Sequence, residues 1–136
     1  MKIDQEYLKG LLAAFEAAEF PITNIQELEQ KGFSNQCDQF LFHLKILSDQ
    51  GLVEREQGHG LGYERDLSGK IYWSVVPLRL TAKGHEFIEA LHNSEVWDTI
   101  KSEFGDASIG TLWRVSKDLL EGYTKKKVTA LLGVDE

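Results

Sequence analysis

Three side chains near the middle of the chain could do chemistry together. In "LTAKGHEFIEALH", His85, Glu89 and His92 recur at helical spacing and fall on one narrow arc, while Phe87, Ile88 and Leu91 fall on the other side. A His/Glu/His set can hold zinc, but only where the ligands converge in a cleft and are oriented by further hydrogen bonds. An exposed helix face supplies neither, so this triplet is a solvated polar stripe and no metal is expected. Cys37, the single cysteine, has no intrachain disulfide partner and is expected in the core among its apolar neighbours. Gly58, Gly60 and Gly62 suggest a phosphate loop, yet no Lys-Ser/Thr pair and no helix follow them. Their simpler use is positive φ in a long turn. No nucleophile with a base, and no paired carboxylates, stand out, so neither an enzyme nor a cofactor is expected.

The remaining chemistry is that of binding. On a helix expected over residues 34–50, Asn35, Gln39, Phe42, His43 and Ile46 lie opposite the face of Cys37, Phe40, Leu41, Leu44 and Leu47. Asn and Gln amides can pair with adenine, and His43 can reach a phosphate or a base edge. Phe42 and Ile46 are apolar on that same outward face, which points instead to a protein interface. Further along, Arg55, His59, Arg65 and Lys70 could meet a second groove, but Glu54, Glu56, Glu64 and Asp66 are interspersed among them. Lys125, Lys126 and Lys127 form the single basic cluster, read as a charged, solvated helix face. The net charge of −7 argues against broad electrostatic capture of nucleic acid.

The elements that must carry these residues are legible. Asp4 caps a first helix expected to reach Phe20, with Ile3 and Leu8 as a hydrophobic staple and Pro21 as its stop. A short strand, "PIT", precedes a second helix capped by Thr23 or Asn24 and ending near Gly32. Ser34 is expected to open the third helix and Gly51 to close it. "LVEREQ" and "KIYWSVVPLRL" flank the glycine-rich stretch as one long two-stranded hairpin. Thr81 then caps a helix over residues 82–91, followed by helices over 95–104, 109–121 and 125–132. Trp73, Trp97 and Trp113 sit in apolar runs as core or interface anchors. With 136 residues, the chain is one structural unit. Neither an export signal nor a membrane-length apolar run is seen, so a cytoplasmic protein with no membrane partner is expected.

Helix, short strand, two helices, long hairpin and then "LRLTAKGHEFIEAL" resembles the winged-helix architecture of the multiple-antibiotic-resistance-type regulators. "FHLKILSDQGLV", "LRLTAKGHEFIEALHNSEVWDTIK" and "MKIDQEYLKGLL" also look like an uncharacterised bacterial and phage-associated domain-of-unknown-function family, with no catalytic residues to carry over. The expectation is an α+β winged helix-turn-helix over residues 1–92, with a helical extension over 93–136. The resemblance implies a transcription-regulator-like dimer that contacts duplex DNA through Asn35, Gln39 and His43, with Arg65 and Lys70 on the wing. The alternative is a winged helix without DNA, a phage-related adaptor that associates through Phe42, Ile46 and the terminal helices.

Overall fold

A computed structural model describes residues 1–133 as an α+β protein; the last three residues of the expected extension, 134–136, lie outside the described residues. Helix α1, Gln5–Glu16, starts where the Asp4 carboxylate accepts a hydrogen bond from the Tyr7 amide. It ends earlier than Phe20, because Pro21 disfavours helical backbone before it and Lys31 Nζ donates to the last-turn carbonyl of Ala14. Helix α2, Ile25–Gln30, is capped by Asn24, whose Oδ1 accepts from the Gln26 and Glu27 amides.

Helix α3, Asp38–Asp49, begins four residues after Ser34. Ser34 Oγ accepts from the Gln36 amide in a local turn instead of opening the helix, a competition typical of serine. Gly51, at φ 75°, closes α3 in the left-handed region as expected. Cys37 is exposed at the start of α3, not in the core, because the later start leaves it outside the buried helical stripe.

The long hairpin forms as two ladders. At its base, β1 (Val53–Arg55) pairs antiparallel with β4 (Leu78–Leu80), Val53 opposite Leu80. At its tip, β2 (Tyr63–Arg65) pairs with β3 (Ile71–Trp73). Between the ladders the chain leaves regular pairing, and Leu61 and Val76 are turned into the core. Gly62, at φ 94°, is required there: a Cβ would stand 2.7 Å from the Ser74 carbonyl oxygen. Thr23 exchanges both backbone hydrogen bonds with Leu78, each 2.8 Å, so the expected "PIT" strand is a single bridge beside β4. The order across the base is therefore Thr23, β4, β1.

Helix α4, Ala82–His92, is capped by Thr81, whose hydroxyl accepts from the Gly84 amide. Helix α5, Ser94–Glu103, is capped by Asn93. Helix α6, Ile109–Leu132, is one element of 24 residues where two helices were expected. Gly122 keeps a negative φ there, and an isolated interior glycine costs only about 1 kcal/mol against alanine, too little to split a helix anchored along its first half. The core joins α1, α3, α4 and α5 with the hairpin base through Leu8, Leu12, Phe40, Leu44, Leu78, Phe87, Ile88 and Ile100. Among the described residues, no helix is long and apolar enough to cross a membrane.

Candidate functional site

The start of α3 and the tip of the hairpin face each other across a groove of about 220 Å³, lined on one side by residues 35–38 and Leu41, and on the other by Arg65, Gly69, Lys70 and Ile71. Asn35, Arg65 and Lys70 are thus brought together although Asn35 precedes Arg65 by 30 positions in sequence. Trp73 ties the walls: its Nε1 donates to the Asn35 carbonyl at 3.0 Å, and its ring meets the buried Phe40 edge-on. A second tie joins Lys45 to the tip, Nζ donating to the Tyr63 hydroxyl at 3.1 Å. That hydrogen bond raises the Lys45 pKa above the ordinary lysine value and keeps the cation charged.

The tip is shaped by Asp66. Its Oδ1 accepts from the Ser68 hydroxyl at 2.6 Å and from the Ser68 and Lys70 amides, and its Oδ2 accepts from the Tyr72 hydroxyl. These donors, the Ser68 hydroxyl foremost, hold the carboxyl below its ordinary pKa. The Asp66 charge is spent on the turn, which presents Arg65 and Lys70 on exposed backbone. Arg65 Nη1 donates to the Gly69 carbonyl, and Lys70 Nζ lies 5.1 Å from the Tyr72 ring centre. The sequence signal for this turn was an aspartate two residues before serine and three before glycine.

Two of the α3 residues expected to face outward do something else. His43 is fully buried: Nε2 accepts from the Asp4 amide at 2.9 Å, which leaves Nδ1 as the donor to the Gln39 carbonyl at 2.7 Å. This places a neutral imidazole between α1 and α3, with the Tyr7 ring tilted against it at 4.8 Å, and corrects the expectation that His43 faces a ligand. Burial, together with the nearby Cys37, pushes the Tyr7 hydroxyl up to about 12. Gln39 is half-buried, its amide donating to Asp4 Oδ2 at 3.3 Å. Asn35 lies in the turn ahead of α3, its Oδ1 accepting from the Gln36 side chain, Nε2 donating at 2.7 Å.

Phe42 and Ile46 are also half-buried and do not form the open patch expected of them. Phe42 borders a small cleft with Met1, Ile3 and residues 105–107, so its own chain covers part of it. The α3 residues left exposed are Asp38, Lys45 and Asp49.

On α4, His92 Nε2 lies 2.8 Å from Glu16 Oε1, tying α4 to α1 across an exposed surface. Among the described residues no three His, Cys, Asp or Glu side chains converge as a metal site. A larger hollow lies elsewhere, at about 530 Å³ between the loop after α1, the start of α2 and the hairpin shoulder. Phe20, Ile22, Val75 and Pro77 form its apolar walls, with Glu27 and Glu56 on its rim. Sequence reasoning missed it because Phe20 was assigned to a helix and Val75 to a regular strand.

A family model described as "Hypothetical protein (DUF2513)" matches residues 2–110. The chain belongs to this family. The match runs from the segment before α1 to the first turn of α6, taking in both walls of the groove and leaving the rest of α6 outside it. No curated protein and no solved structure matches the chain.

Proposed function

We propose that this DUF2513 chain is a winged-helix, transcription-regulator-like protein that contacts duplex DNA through the groove between α3 and the β2–β3 tip. The observation that carries the reading is the meeting of Asn35 with Arg65 and Lys70 across that groove. The strand order Thr23, β4, β1, with α2 and α3 between the first and last of these in sequence, supports the winged-helix part. In this reading the Asn35 amide meets a base edge, and Arg65 and Lys70, with Lys45 beside them, meet phosphates. Gln39 steadies the start of α3 through Asp4, and His43 positions α3 from within.

Two or three phosphate contacts predict a shallow salt dependence, a loss of about 10- to 40-fold in affinity between 50 and 200 mM salt. Fluorescence anisotropy against random and upstream duplexes measures it. Replacing Arg65 and Lys70 with alanine should remove most of the binding and flatten the slope. Undiminished binding by that variant overturns the wing assignment.

A second reading, a phage-related adaptor that contacts protein and not DNA, is favoured by charge. Residues 1–110 carry ten Lys and Arg against eighteen Asp and Glu, an excess of eight negative charges. No anisotropy change at 50 mM salt would select it.

A further inference from the structure

Among the described residues, nothing packs on the apolar side chains in the second half of α6. At 24 residues, α6 is about 36 Å long. Its first half lies on α4 and α5, with Leu112 and Ser116 buried and Leu119, Leu120 and Tyr123 packed against the core. Past Tyr123 the apolar side chains continue without cover: Val128 is 48% exposed, Leu131 76% and Leu132 71%. Lys125, Lys126 and Lys127 precede them on the same stretch. Over residues 111–136 five Lys and Arg stand against four carboxylates, a surplus of one positive charge, whereas residues 1–110 carry an excess of eight negative charges; no carboxylate lies between residues 122 and 133, where the three lysines are.

The opposite combination occurs at the 530 Å³ hollow. Phe20 is 64% exposed and Val75 50% exposed there, an apolar surface left open to water. Glu27 and Glu56 edge it, and Glu27 is fixed in place by the Thr23 hydroxyl, which donates to its Oε2 at 2.7 Å. No residue of α6 lines this hollow, so the chain's own helix does not fill it in this structure.

We infer that the free end of α6 docks in the Phe20/Val75 hollow of a second copy of this chain. Leu131, Leu132 and Val128 supply the apolar contact, and the lysine triplet meets Glu27 and Glu56. Two copies carrying −7 each repel as whole bodies, so attraction has to come from a contact where opposite local charges meet, as they do between this helix end and this rim. The two surfaces differ, so the contact is heterologous. It shares no residue with the groove between α3 and the hairpin tip and stands apart from the proposed DNA contact.

Sedimentation velocity on the full chain at low and high salt tests this. Association weakened by salt is expected, and Leu131→Glu, at an exposed position, should abolish it with the helical content unchanged. Glu56→Lys should raise the dissociation constant about tenfold or more. Combining Glu27→Lys and Glu56→Lys with glutamates at Lys125, Lys126 and Lys127 should restore association, because the charges are then exchanged and not removed. A wild-type chain that stays monomeric at low salt overturns the inference. So does association lost in Leu131→Glu, unaffected by Glu56→Lys and not rescued by the swap, the result expected if two α6 ends pair with each other.

Discussion

The base and the tip of the hairpin are built from the same backbone pattern and held by different physics. At the base, Val53, Leu78 and Leu80 are buried and the ladder is part of the core; the Arg79–Glu54 ion pair rides on its exposed face. At the tip, no β2 or β3 residue is fully buried, and the turn depends on one carboxylate with its ring of donors. Apolar burial is cooperative with the whole fold, whereas a polar turn is local. The difference explains how a rigid base can carry a tip whose cations remain exposed beside α3.

That contrast can be broken at the base first. Leu78→Ala, in the central strand and fully buried, should cost about 2–5 kcal/mol, read as an earlier midpoint in urea denaturation. Gly84→Ala comes next. A Cβ there would lie 2.0 Å from the Leu52 carbonyl oxygen, so the α4 start and the strand end must part, at about 1–3 kcal/mol in the same experiment. Either variant unfolding at the wild-type urea concentration would remove the base from the core.

The smallest effect should come from the tip. Asp66→Asn should release the Ser68 and Lys70 amides to solvent exchange while the β1–β4 amides keep their protection. Loss of protection at both ladders would mean that tip and base are one cooperative unit. Acidification should mimic the substitution. Because the folded pKa of Asp66 is depressed, its contribution is complete above the ordinary value of 3.8 and is lost as pH falls through the lower folded value. The Ser68 and Lys70 amide shifts in NMR should therefore titrate with a midpoint below 3.8.

Much of this was legible before any coordinates. Asp4 and Thr81 read as caps, and Asn24 as one of two candidates beside Thr23, because a short polar side chain before an apolar periodic run has one efficient use; each of the three accepts a first-turn amide. Ser34 misled by the same rule, since a serine can satisfy a turn as readily as a helix start. The groove was half legible: Asn35, Arg65 and Lys70 were named from their chemistry, but nothing local says that Trp73 fastens their two walls together. His43 was placed outside because periodicity assigns a polar residue to water. Its burial depends on an unpaired amide at Asp4, 39 residues away.

The sequence alone determined the α+β class, most element boundaries and the acidic balance, because caps, turn residues and apolar periodicity act over a few neighbouring positions. Only the tertiary structure decided that the hairpin divides into a buried base and a polar tip, that His43 is an internal link, and that α6 ends in an apolar stretch that no described residue covers. Those outcomes depend on which distant groups meet, and a one-dimensional pattern carries no record of the partner.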